Sequence, residues 1–283
     1  MIHRSLALPL LATLASAALA AASTPPPPAL EERTDFRAAF RAAGVEGTAV
    51  VYDEATGRWW VHDAERAAVA FLPASTFKLF NALVALETGA VADEHEVLRW
   101  SAAIPRPPGW ESGRLPGSWT RDQSLASALQ VSAVWFYQEV ARRAGEERMR
   151  HWLTAAGYGN GDIGGGIDRF WLEGALRISA LGQVDFLRRL ADGKLPFSAR
   201  AQEIVRRISI VRAEPDHALH AKSGWGRRAG PGGEVDLGWY VGWLERGGKR
   251  WFFALNLDLR DAADAPKRIA LAEALLRRAG ALL

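Results

Sequence analysis

Residues 71–80, FLPASTFKLF, place Ser75 and Lys78 three positions apart in an otherwise apolar stretch. On a helix such a pair shares one face, about 5–6 Å apart at Cβ. A serine hydroxyl is a poor nucleophile until a base takes its proton, and a lysine serves as that base only where burial lowers its pKa. Phe71, Leu72, Phe77 and Phe80 offer such surroundings. A serine at a helix N-terminus also has a free backbone N–H that can stabilise an oxyanion. The plainer reading makes Ser75 an N-cap and Lys78 an exposed first-turn residue. S-x-x-K is common by chance, so taken alone it favours that plainer reading.

The order of further motifs shifts the balance. Ser132-Ala133-Val134 falls in a helix-like region and Lys222-Ser223-Gly224 on an expected strand. S-x-x-K, S-x-[V/N] and K-[ST]-G are the three elements of serine β-lactamases and penicillin-binding proteins. Between them stand Tyr158-Gly159-Asn160 and Phe170-Trp171-Leu172-Glu173-Gly174. By itself Trp171 reads as a core aromatic and Tyr158-Gly159-Asn160 as a turn. In this company the chain resembles the class D, oxacillinase-type serine β-lactamases, whose motifs run S-T-F-K, S-x-V, Y-G-N, W-x-x-G, K-[ST]-G. The likeness extends through AGYGNGDIGGGIDRFWLEGALRISALGQVDFL, KSGWG and GWYVGWLERGGKRWFFALNLDL.

The resemblance implies that Ser75 is acylated by penicillin-type substrates and that CO2 carboxylates Lys78 to N6-carboxylysine. No metal and no other cofactor is implied. Trp171 is expected to hold the carbamate through its indole N–H, with Val134 and Leu172 flanking it. Ser132 is expected to relay a proton to the leaving nitrogen with help from Lys222, and the backbone N–H groups of Ser75 and Trp225 to form the oxyanion hole. Ser223, Gly224 and an arginine early in the last helix are expected to bind substrate. Arg268 fits that register better than Lys267, although a slip of one residue stays open. The rivals are a D,D-peptidase and a slowly deacylating β-lactam sensor. Asp168 or Glu173 could suggest a carboxylate base, but Ser-Ala-Val rather than Ser-Asp-Asn as the second motif favours the carbamate.

The elements that must position these residues read from both ends inward. Gly47 to Asp63 reads as a hairpin around a Glu-Ala-Thr-Gly turn, and a helix from Ser75 should stop at Gly89. Residues 90–195 are mostly helical, with SLASALQVSAVWFYQEVARRA read as one stretch. Ala218 to Trp225, Leu237 to Glu245 and Arg250 to Leu259 are strand-like, the last two joined at Gly247-Gly248. A final helix over Lys267 to Ala279 should bury Ile269, Leu271, Ala272 and Leu275. The expected class is mixed α/β: an antiparallel sheet built from both chain ends, flanked by helices, with a helical subdomain interposed, as in the serine β-lactamase and penicillin-binding-protein fold. The sheet part is placed at about 33–80 and 200–283, and the helical part at about 81–199.

Composition narrows the rest. The first 20 residues read as a cleavable export signal, with an Ala18-Leu19-Ala20 cleavage site, followed by a proline-rich spacer over 21–32. A periplasmic protein without a membrane anchor in its mature form is therefore expected. The chain has no cysteine, which removes thiol catalysis and thiolate metal sites, and its histidines form no H-x-H or H-E-x-x-H. A formal charge of +3 is spread among acids, without the basic stripe that nucleic acid requires. The partner that the resemblance implies is a small-molecule β-lactam, and a monomer or homodimer is expected.

Overall fold

The computed structural model describes residues 29–107, 115–230 and 233–282; the expected export signal over 1–20 and the proline run Pro25 to Pro28 lie outside them. The chain runs β1 (Leu30–Glu32), α1 (Thr34–Ala43), β2 (Gly47–Asp53), β3 (Arg58–His62), α2 (Ala64–Ala68), a 3-10 turn (Ala74–Phe77) and α3 (Lys78–Glu87). Then follow β4 (Val97–Leu98), β5 (Gln123–Ser124), α4 (Leu125–Gln130), α5 (Val134–Ala144), α6 (Glu146–Ala156), α7 (Ala180–Ala191) and α8 (Ala199–Ile208). The chain closes with β6 (Ile210–Ala213), β7 (His217–Gly230), β8 (Gly233–Arg246), β9 (Lys249–Leu259) and α9 (Lys267–Arg278).

The expected sheet is present, with strand order β1-β3-β2-β9-β8-β7-β6. The chain ends meet where β2 pairs antiparallel with β9, Val50 opposite Ala254 and Tyr52 opposite Phe252. Because successive strand residues face opposite sides, the sheet carries two cores. Val51, Tyr240, Phe253 and Leu255 pack with Phe36 and Phe40 of α1 and Leu271 and Leu275 of α9. Val50, Trp239, Val241, Phe252 and Ala254 pack with the helices from the middle of the chain. Helix α7 lies directly on this second face, against β2 and β9.

Four details differ from the sequence reading. The fold begins inside the expected spacer, because Leu30–Glu32 pairs parallel with β3 and adds one parallel contact to an otherwise antiparallel sheet. The stretch read as one helix breaks at Val131 to Ala133, where Ser132 has φ 57°; a left-handed residue cannot continue a right-handed helix. Ile269 is 43% exposed and Leu276 takes its place in the buried stripe of α9. Strands β7 and β8 run to 14 residues each, beyond the expected bounds at Trp225 and Leu237.

Candidate active site

Among the described residues three non-glycine residues adopt positive φ: Asp63 at 59°, Ala74 at 48° and Ser132 at 57°. Two of them flank one point in the structure, as strained backbone tends to do at functional sites. Ala74 precedes Ser75 in the 3-10 turn, and Ser132 caps the turn between α4 and α5. That second turn is pinned on both sides. Ala133 N–H donates to the Ala128 carbonyl at 2.9 Å, Trp119 Nε1 donates to the Val131 carbonyl at 2.9 Å, and Trp135 Nε1 donates to the Trp119 carbonyl at 2.7 Å.

Lys78 opens α3 and is fully buried, so its side chain enters the space between the two turns. Its Nζ donates to Ser75 Oγ at 2.5 Å and to Ser132 Oγ at 3.2 Å. The N-cap reading of Ser75 does not hold: no side-chain cap bond starts either the 3-10 turn or α3. Burial drives the Lys78 amine far below the ordinary lysine range, and the nearby charge of Lys222 adds to the effect. Lys222, on β7, is also buried; burial first and Arg268 second bring it to about 7, and its Nζ donates to the Ser223 carbonyl at 3.0 Å. Among the described residues no carboxylate pairs with either lysine. Asp168 is bound to Arg142 at 2.6 Å and Glu173 pairs with Arg169.

Trp171 is fully buried and stacks on Phe77, with centroids 5.2 Å apart. Its Nε1–H has no hydrogen-bond partner. An orphaned buried donor costs about 1–3 kcal/mol, a cost that an added acceptor removes. A carboxylated Lys78 is such an acceptor: the neutral amine, the apolar walls and the free indole N–H all fit it. Val134, first residue of α5, is buried in the same core, and the partly buried Leu172 packs against it. Tyr158 is enclosed by Phe77, Phe80 and Phe186. Asn160 ties the Trp171 loop shut, its Oδ1 accepting from Arg177 N–H and its Nδ2 donating to the Ala175 carbonyl, both at 2.9 Å.

The free side of β7 forms the opposite wall. Strand β6 pairs with β7 only over Ala218 to His220, and beyond it the 3-10 turn approaches the strand. A Cβ on Gly224 would lie 3.1 Å from the Pro73 carbonyl oxygen, so the turn would have to give by a few tenths of an ångström to admit any other residue. Alternation along β7 puts Lys222 and Gly224 on the face toward Ser75, and Ser223 and Trp225 on the other. Trp225 is 43% exposed, with its indole N–H donating to Asp236 at 2.9 Å. Arg268 crosses Gly238, where a Cβ would collide with its Cδ, and donates to the Gly224 carbonyl. Lys267 instead turns to Asp264, at 2.6 Å.

Sequence reasoning passed over Ala74, Thr76, Gln183 and Trp239, which brace the nucleophile turn. Gln183 did carry a signal, as an amide within the buried stripe Ala180, Val184 and Leu187 of α7. Among the described residues no cluster of three or more His, Asp or Glu is placed to hold a metal.

The penicillin-binding-protein transpeptidase domain model matches residues 47–277. The chain is 38% identical over 257 residues to β-lactamase OXA-5 of Pseudomonas aeruginosa, covering 90% of this chain and 91% of that one. It is 39% identical over 248 residues to β-lactamase OXA-48 of Klebsiella pneumoniae, covering 88% and 89%. The crystal structure of the class D β-lactamase FUS-1 (OXA-85) from Fusobacterium nucleatum superposes with a TM-score of 0.81 at 37% identity, covering 89% of this chain and 100% of that one. The class D enzyme YbXI from Nostoc gives 0.80 at 39% identity, covering 88% and 99%. With a serine, two lysines and a second serine gathered in one cleft, and relatives matched over nearly their whole length, the chain belongs to the class D serine β-lactamases.

Proposed function

We propose that this enzyme hydrolyses the amide of penicillin-type β-lactams through an acyl-enzyme on Ser75, with N6-carboxylated Lys78 as the general base. The observation that carries this reading is the fully buried Lys78, without a carboxylate partner, within hydrogen-bond reach of both Ser75 and Ser132. An amine adds CO2 only when neutral, and burial favours that form. Carboxylated, the side chain supplies an anionic base in an apolar site, which Trp171 Nε1–H is available to hold.

In acylation, Ser75 Oγ gives its proton to the Lys78 side chain and bonds to the lactam carbonyl carbon. The carbonyl oxygen takes up negative charge, for which the backbone N–H groups of Ser75 and Trp225 are the proposed donors. The lactam C–N bond then breaks, and Ser132 passes a proton to the departing nitrogen, assisted by Lys222. At about 7, Lys222 is poised to give and regain a proton near neutrality. Arg268, with Ser223 and Gly224 beside it, binds the substrate carboxylate, a planar group that a guanidinium matches. Water activated at Lys78 cleaves the ester and frees Ser75, with Val134 and Leu172 limiting its access.

The N-terminal stretch that reads as an export signal supports a periplasmic location, where such substrates arrive; among the described residues no helix is long and apolar enough to cross a membrane. Mass spectrometry during incubation with benzylpenicillin tests the assignment. Wild type should show a transient adduct and continued turnover, and Ser75→Ala neither. An adduct retained by Ser75→Ala would remove the assigned nucleophile, and a wild-type adduct lasting for hours would indicate a sensor.

A further inference from the structure

The backbone immediately before Ser75 needs outside support. Ala74 is fully buried and left-handed, with φ 48°, a conformation that persists in a non-glycine residue only where its surroundings over-determine it. The support begins at the Pro73 carbonyl. It accepts from the Thr76 backbone N–H at 3.2 Å and from the Thr76 hydroxyl at 2.7 Å. That hydroxyl has a single proton, which is committed to Pro73. A lone pair of the same oxygen accepts from Gln183 Nε2 at 2.8 Å.

Gln183 comes from α7, 107 residues further along the chain, and like Thr76 it is only 1% exposed. Packing does not call for an amide here. The amide stands out in the apolar stripe of Ala180, Val184 and Leu187, where it meets the Thr76 hydroxyl, with the buried Tyr158 hydroxyl beside both. The turn also has little room to relax. Gly224 closes on Pro73 and Thr76 from the β7 side, and Trp239 Nε1 donates to the Leu72 carbonyl at 3.0 Å.

We infer that Gln183 is a positioning residue for the nucleophile: acting through the Thr76 hydroxyl, it locks the turn at Pro73 and Ala74 and so aims Ser75 Oγ at Lys78 Nζ. Gln183 orients the Thr76 oxygen so that its one proton points to Pro73. Without the amide the hydroxyl rotates freely, the turn loosens, and Ser75 spends less time 2.5 Å from Lys78. Small misplacements of reacting groups lower rates by large factors.

This inference rests on Ser75 being the nucleophile, so the experiment carries Ser75→Ala as a control. Single-turnover acylation by a chromogenic cephalosporin is measured at 25 °C on full-length mature protein, beside the melting temperature of each variant. Gln183→Leu should acylate about tenfold more slowly while staying folded at the assay temperature. The double variant Gln183→Leu/Thr76→Val should be no slower than Thr76→Val alone, because residues acting in series are not additive. Thr76→Ser keeps the hydroxyl and should acylate within about threefold of wild type, with the tenfold loss on Gln183→Leu preserved in its background. That pair carries the test if Thr76→Val does not fold. Unchanged acylation in Gln183→Leu, or a loss that multiplies with that of Thr76→Val, overturns the positioning role. Acylation surviving in Ser75→Ala overturns the nucleophile assignment instead.

Discussion

Two clusters of cations withdrawn from the surface of this molecule are treated in opposite ways. On the sheet, Arg66 of α2 and Arg228 of β7 converge on Asp258 of β9, Arg66 at 2.7 Å, with Arg66 Nε also donating to Asn256 at 2.9 Å. At the candidate site Lys78 and Lys222 are buried, Lys78 under the charge of Lys222 and Lys222 under that of Arg268, and among the described residues no carboxylate pairs with either. The paired cluster becomes more strongly ionic: Arg228 is raised by its bond to Asp258, and Asp258, although burial opposes it, is held below the usual carboxylate range by both guanidiniums. The unpaired cluster moves the other way, and burial pulls both amines below the ordinary lysine range. An ion pair thus serves the scaffold, and a cation buried without an acid becomes a base. The difference lies in which partner is supplied, since both clusters are removed from water.

The two clusters also make stability depend on pH, in the same direction but in different windows. Asp258 is depressed in the folded state, so its contribution is present above the unfolded carboxylate pKa and is lost as pH falls through the lower folded value. The lysines are depressed as well, so there too the unfolded chain binds the extra proton, at higher pH. Between a folded value of about 7 for Lys222 and its ordinary 10.5, stability rises with pH; below that window the burial cost is borne in full.

The sharpest way to break this contrast is to delete one member from each side. Lys78→Met should lower kcat/KM for penicillins by about 10^2- to 10^4-fold, the range of a lost general base, while its melting temperature stays level or rises because a buried amine has been removed. A fall of several degrees would show that Lys78 is a structural ion rather than a reactive one. Asp258→Asn should do the reverse. It leaves two guanidiniums facing a neutral amide and should cost about 3–5 kcal/mol in urea unfolding, with kcat at 25 °C within about threefold of wild type for the folded fraction.

A smaller effect sharpens the substrate side. Arg268→Ala should raise KM for benzylpenicillin by about 10- to 100-fold, the worth of a charge-assisted hydrogen bond. Lys267→Ala should change it by less than about threefold, because its ammonium is spent on Asp264 at the surface. Reversed values would move the anchor by one residue. The smallest expected change is in the pH profile. The alkaline limb of kcat/KM should have a midpoint near 7, set by loss of the Lys222 proton that Ser132 relays, and Lys222→Ala should abolish that limb rather than shift it slightly.

Much of this was legible because the chemistry is local in sequence. Ser75 and Lys78 lie within one turn, and Lys222 to Gly224 on one strand, so motif and strand alternation located them. The hairpins at Gly57 and at Gly247-Gly248 were readable for the same reason: glycines with φ of 57–74° mark the reversals. What stayed hidden depends on distant partners. The break at Ser132 is held by Trp119 and Trp135, which no helical pattern reveals. Ile269 has the right spacing for the apolar stripe of α9 but lies at its edge, so it is exposed while Leu276 is buried. The bracing by Gln183 and Trp239 crosses more than 100 residues of chain. Local pattern cannot anticipate which buried amide meets which hydroxyl.

The account stands on Lys78 being a neutral amine that takes up CO2, and 13C NMR with labelled bicarbonate observes that event directly. Wild-type enzyme equilibrated at neutral pH should show one carbamate resonance, absent in Lys78→Ala, that fades together with activity when the protein is degassed at acid pH and returns with bicarbonate. Trp171→Ala, without the indole donor, should show a weaker resonance and slow deacylation that added bicarbonate partly restores. Full activity with no carbamate resonance and no dependence on bicarbonate would contradict the account and leave the unmodified lysine as the base.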